Sequence, residues 1–243
     1  GVTDTSTFYT TEYQYAPNLS ELYVFSTIGQ VTWQKILTSC IEFLEICAVT
    51  SSETPREPYA RQLMSGKTLS RLECFAKETG FDINHDLVFN GRPMPSLRTI
   101  ALNLEDLISF DDNVMANLMH GDFCFSNILY NSRNSRISVI DPRGYVFDGK
   151  REIWGDLRYD IAKFSHSVDG LYDFILAGRY NLQQDDVYAF DLQFDSSLQR
   201  PWLQKTFADM RIAGVSPAGR DIRAITTSLF LPMLPLHADR PAR

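Results

Sequence analysis

A mostly helical α+β fold with one small central β-hairpin is what this sequence predicts, and three observations carry that prediction. Over residues 31–49 the apolar side chains Trp33, Ile36, Leu37, Cys40, Ile41, Leu44 and Cys47 recur at three and four, which places them on one face of a helix. Helical spacing returns later over 158–168, 171–178, 197–210 and 218–232. Between them it switches to two short β-like runs, NILYN at 127–131 and RISVI at 136–140, joined by the turn-forming SRNS.

In chain order, TFYTTEYQY at 7–15 is rich in aromatic and β-branched residues and reads as a strand that Pro17 ends. The 31–49 helix follows. SSETPREP at 51–58 reads as a polar, proline-containing loop. TLSRLECFAKETG at 68–80 is a short helix with Leu69, Leu72 and Phe75 inward and Gly80 as its stop. NGRPMP at 90–95 reads as a loop. A helix over 96–110 carries Ile100, Leu104, Leu107 and Ile108. The hairpin and the four later helices complete the series, without an internal repeat.

The 243 residues are 44% hydrophobic, enough for an ordinary buried core, and the net charge of -7 argues against nucleic acid or anionic lipid as partners. A polyanionic ligand therefore needs a local site. Cys40, Cys47, Cys74 and Cys124 form no C-x-x-C pair and read as free thiols. The run ITTSLFLPMLPLHA at 225–238 is too short to span a bilayer and carries two prolines. The expected location is cytoplasmic.

The chemistry gathers around the hairpin, in HGDFCFSNILYNSRNSRISVIDPRG at 120–144. Asp122 and Asn127 precede the first strand and Asp141 follows the second. Antiparallel strands of similar length make Asn127 and Asp141 neighbours. Two oxygen-bearing side chains at one hairpin mouth suit a hard cation such as Mg²⁺, which takes few protein ligands and fills its shell with water and phosphate oxygens. Asp122 then faces a substrate hydroxyl. Cys124 reads as a packed thiol rather than a nucleophile. His166 with His120, Asp122 and Asp141 is a weak zinc alternative, because neither H-E-x-x-H nor H-x-H occurs. Arg143 and Arg158 read as carboxylate-paired or exposed.

HGDFCFSN has the H-x-D-x-x-x-x-N spacing of a kinase catalytic loop, VIDPRG stands where a kinase has its metal-binding Asp, and GDLRYDIAKF follows at 155–164. This ordered series resembles the aminoglycoside phosphotransferase and choline kinase family, the small-molecule branch of the protein-kinase-like fold. The resemblance implies that Asp122 is the catalytic residue, orienting the acceptor hydroxyl and accepting its proton. It implies that Asn127 and Asp141 hold the Mg²⁺ that bridges the phosphates of ATP. His120, Asp156 and Asp160 are then structural supports, Asp156 and Asp160 by bracing the loop or capping the helix that carries Ile161 and Phe164.

By the same resemblance, residues 1–30 correspond to the last strand of an amino-terminal β lobe and the hinge, and 31–243 to the helical catalytic lobe. No glycine-rich segment precedes residue 90 and Lys35 falls in a helix, so the β lobe is expected largely absent, either upstream in a longer protein or lost in a reduced homologue. VIDPRG with WGDLRYDIAKFSHSVDGLYDF looks most like relatives associated with capsule and surface-polysaccharide synthesis, which implies a sugar or amino-alcohol acceptor. A non-catalytic module that senses a nucleotide or metabolite, or regulates a linked nucleotidyltransferase, is the competing expectation.

Overall fold

A computed structural model describes residues 13–55, 59, 61, 68–111, 113–144, 151–195, 197 and 199–235. The chain is a mixture of α and β, with eight α-helices and three small sheets among those residues. Helix α1 spans Leu19–Phe25 and opens on Asn18, whose side chain accepts the Glu21 amide. Helix α2, Gln30–Val49, buries Trp33, Ile36, Leu37, Cys40, Leu44 and Cys47, the stripe expected from the periodicity.

The chain continues with strand β1 (Ser51–Pro55), helix α3 (Thr68–Thr79), strands β2 (Leu87–Phe89) and β3 (Arg92–Met94), helix α4 (Leu97–Asp106) and strand β4 (Met115–Leu118). A 3-10 turn at Phe125–Asn127 leads into β5 (Ile128–Asn131), which pairs with β6 (Arg136–Val139). Strand β7 (Trp154–Gly155), helices α5 (Leu157–Val168) and α6 (Tyr172–Leu176), strands β8 (Tyr180–Asp186) and β9 (Ala189–Phe194), and helices α7 (Pro201–Ala208) and α8 (Arg220–Phe230) complete it.

The central hairpin occupies the expected residues, but it is one sheet of three. Ser51–Pro55, expected as loop, pairs with β4, which pairs in turn with β7. Its side chains are mostly exposed, so its pairing is a backbone matter that no hydrophobic alternation announces. NGRPMP is also no simple loop. Asn90 and Gly91 have φ of 49° and 70°, the left-handed pair of a tight hairpin turn, so β2 and β3 close on each other. β2 then runs parallel to β9, which pairs with β8 in a four-stranded sheet whose two long strands lie where no strand was expected. Residues 7–12 of the strand expected at 7–15 lie outside the described residues, and 13–15 lie in no strand.

One aromatic core joins the helices to the polar loop. Phe123 and Phe125 are fully buried, while Asp122 and Cys124 between and beside them are half-buried. The two buried phenylalanines anchor the polar loop in the apolar core and leave Asp122 and Cys124 half-buried beside them. Phe125 packs edge-on to Tyr23 and Phe164 at centroid distances of 5.2 Å each, and Phe123 stacks on Phe43 at 5.0 Å and Phe164 at 5.5 Å. Truncating either phenylalanine would cost about 3–5 kcal/mol, a large share of a domain's net stability.

Candidate active site

The site is built from two segments clamped together by helix α5. Asp156 is the N-cap of α5, accepting the Arg158 amide at 2.9 Å, and its carboxylate holds the Arg158 guanidinium at 2.7 Å. Arg158 reaches on to Asp221 at the start of α8 and to the Ser109 carbonyl, both at 2.7 Å, so the buried cation joins three elements. One turn into α5, the fully buried Asp160 carboxylate accepts the backbone N–H of His120 at 2.7 Å and of Gly121 at 2.8 Å. Burial pushes its carboxyl up to about 7 against the pull of those two donors.

His120 is the hinge pin of the two segments. Its Nε2–H donates to the Ile140 carbonyl at 3.1 Å, and its Nδ1 accepts the Asp122 amide at 3.3 Å, which fixes the tautomer. Burial, opposed by Asp122, the Ile140 carbonyl and Asp141, keeps its pKa below the ordinary value, so the ring is neutral. The Arg143 N–H donates to the His120 carbonyl at 2.8 Å, and the Ile140 N–H to the Asn127 carbonyl at 3.0 Å. Asp141 is thus bracketed: the residue before it and the residue two after it are both bonded to the loop that carries Asp122.

Within that loop Asn127 Nδ2 donates to the Asp122 carbonyl at 2.9 Å and to Asp122 Oδ2 at 3.1 Å. Both partners are acceptors, so the amide nitrogen must be the atom facing them, and Asn127 Oδ1 is turned the other way. The ladder puts Ile128 opposite Val139, and Asp141 lies just past its end. Asp141 is exposed and sits at φ 55°, the left-handed region, immediately before Pro142. Such a backbone costs about 1–3 kcal/mol and persists only where its surroundings impose it.

Asp122 has a partner that spacing alone did not reveal. Lys163, three residues beyond Asp160 on α5, places Nζ 2.9 Å from Asp122 Oδ1, with side-chain exposures of 17% and 35%. Burial would raise the Asp122 carboxyl, but the Lys163 ammonium and the Arg143 guanidinium outweigh it and hold the group below the usual carboxylate range. For Lys163 burial works against the charge and is outweighed by Tyr159 and Asp122, so both partners are ionised. The sequence signal, visible in retrospect, is the i, i+3 spacing of Asp160 and Lys163, which shares one helix face.

Asp122, Asn127, Asp141, His120 and Asp160 are therefore parts of one connected arrangement, with Asp156 one turn away as the cap of the clamping helix. Cys124, half-buried, has Sγ 3.2 Å from Ser126 Oγ and a pKa raised by burial, the state of an inert thiol. His166 is buried between Tyr172 and Phe230, at centroid distances of 4.3 and 4.0 Å. Among the described residues no group of three or more His, Cys, Asp or Glu side chains could hold a metal ion. Asn127 Oδ1 and the exposed Asp141 carboxylate are the oxygens that could hold a hard cation which keeps most of its shell for water and phosphate. No described helix is long and apolar enough to cross a membrane. Scans against protein-family models, curated proteins and solved structures find no match to the chain.

Proposed function

We propose that this chain is the helical catalytic lobe of an ATP-dependent phosphotransferase, similar to the aminoglycoside phosphotransferase and choline kinase family, acting in the cytoplasm on a hydroxyl of a sugar or amino alcohol. A role in surface-polysaccharide synthesis is part of the proposal. The observation that carries it is the bracketing of Asp141 by the His120 loop, with Asn127 shared between the two segments.

Each residue then has one task. The Asp122 carboxylate receives the acceptor hydroxyl in a hydrogen bond and takes its proton as the new O–P bond forms, while the bond from phosphorus to ADP breaks and its electron pair leaves on ADP. Asn127 Oδ1 and Asp141 are the atoms that would hold Mg²⁺, which when bound supplies charge neutralisation of the phosphates. Asp160 and His120 keep the two segments in register, and placement supplies much of the rate in a reaction with a loose transition state.

The test is phosphate transfer from ATP by the protein to a panel of sugars and amino alcohols in Mg²⁺. Turnover is expected of the chain together with its β lobe, with Asp122→Ala lowering kcat by about 10²–10⁴ in a protein that still folds, whereas this lobe alone should bind ATP poorly and turn over slowly if at all. Undiminished turnover in Asp122→Ala would remove the assigned base. Nucleotide binding with no turnover on any acceptor would favour the sensing module.

A further inference from the structure

We propose that Lys163 is a phosphate-binding residue of this site, its ammonium lying beside the path of the phosphoryl group and neutralising charge as that group passes to the acceptor. This rests on the phosphotransferase reading and adds to it a cation that the motif does not contain.

Between residues 120 and 127 the loop HGDFCFSN has no lysine or arginine. The positive charge at Asp122 comes instead from α5, the helix whose Asp160 hooks the loop one turn earlier, so the position of Lys163 is set by the same clamp. Its side chain is largely covered, with 17% exposed, and its ammonium ends on the half-buried Asp122 carboxylate.

The valences leave room for a ligand. An ammonium has three N–H donors, and Asp122 Oδ1 takes one. A hydroxyl on Asp122 would lie about 2.7 Å from the carboxylate. Its phosphorus would come within about 3–3.5 Å of that hydroxyl. The phosphoryl oxygens then fall within the sweep of a lysine already 2.9 Å from the same carboxylate. Arg143, the other cation acting on Asp122, donates to the Tyr159 hydroxyl at 3.2 Å and lies over that ring.

Charge points the same way. Asp122 and the exposed Asp141 stand on two segments bonded to each other, and a triphosphate arriving between them meets repulsion that a metal ion offsets only in part. A largely covered lysine that merely neutralises a half-exposed aspartate recovers little of its desolvation cost. One that also meets a transferring phosphate recovers more. The bonds made and broken are those given above, and Lys163 stays protonated throughout.

The experiment compares binding of ADP–Mg²⁺ with and without aluminium fluoride, a mimic of the phosphoryl in flight, by calorimetry on the full-length protein, β lobe included. In the unaltered protein aluminium fluoride should tighten binding, and Lys163→Met should lose at least tenfold of that gain while binding ADP–Mg²⁺ within threefold of the original. Lys163→Arg should keep most of it. Reductive methylation of the unaltered protein, read by mass spectrometry, tests the contact without any variant: the aluminium fluoride complex should protect Lys163 and ADP–Mg²⁺ alone should not. A full gain in Lys163→Met, equal loss of ADP–Mg²⁺ affinity, or no protection would overturn the assignment and leave the phosphotransferase reading standing if Asp122→Ala still abolishes turnover. No binding of ADP–Mg²⁺ and no turnover by the unaltered protein joined to its β lobe would end both.

Discussion

The buried Asp160 carboxylate accepts the backbone amide of Gly121 at 2.8 Å, thirty-nine residues back along the chain, and through that bond α5 holds the loop of the candidate base. The neighbouring His120 amide uses the other oxygen. Asp160→Asn puts an NH₂ against one of these amides and leaves a buried donor unpaired. We expect a loss of about 1–3 kcal/mol in urea unfolding, together with a fall in transfer rate larger than that of an equally destabilising change in α3. Wild-type activity in a folded Asp160→Asn protein would show that the loop holds itself.

Gly121 itself tests the closeness of the two segments. Its φ is +80°, and a Cβ there would lie 2.7 Å from Arg143 Cβ. Gly121→Ala therefore meets both backbone strain and a clash with an atom that no rotamer change removes, a combined cost of about 2–4 kcal/mol. Adding Arg143→Gly should recover only the clash. A thermal midpoint for Gly121→Ala within a degree of the parent would contradict this contact.

Asp141 separates charge from backbone. Asparagine tolerates the left-handed conformation nearly as well as aspartate, so Asp141→Asn should fold normally, whereas Asp141→Ala adds a strain of about 1 kcal/mol. Both should raise the Mg²⁺ concentration needed for half-maximal transfer by tenfold or more. A Mg²⁺ titration indifferent to Asp141→Asn would remove this residue from the metal site.

His166 gives a pH signature. Burial first, and the Lys163 charge second, push its pKa down to about 3 from 6.5, and its Nε2 has no hydrogen-bond partner. The unfolded chain takes up this proton near pH 6.5 and the folded chain only near 3, so the stability this residue contributes is complete above 6.5 and is lost as pH falls toward 3. The slope is at most about 1.4 kcal/mol per pH unit. Asp160, raised to about 7, acts in the opposite sense: its contribution is complete below the ordinary carboxyl value and disappears as pH rises through 7. Subtracting the urea-derived stability of His166→Leu from that of the parent at pH 7.5 and 5 isolates the histidine. Parallel curves for the two proteins would rule out its buried neutral state.

What could be read from the sequence was whatever repeats at the period of its own element. Helix α2 shows a continuous apolar stripe, and β5–β6 a change of period with a turn between, so both were legible. Strand β8 was not, because six of its seven positions are exposed and YNLQQDD offers no apolar alternation. The Asn-Gly pair at 90–91 carries a local hairpin signal, and β2 and β3 close on it. In the site, Asp122, Asn127 and Asp141 stood out through residue type and order, whereas Lys163 looks like any charge on a helix until the Asp160 hook brings its face to the loop. Contacts across about forty residues leave no local trace.

That separation has a consequence for how the protein is made. A ribosome releases His120 and Asp122 well before it releases Asp160, so the nascent loop stays without its anchor until another helix has emerged and docked. Truncated chains ending before residue 157 should keep the β5–β6 ribbon yet leave its acidic mouth unset until α5 has emerged to hold it.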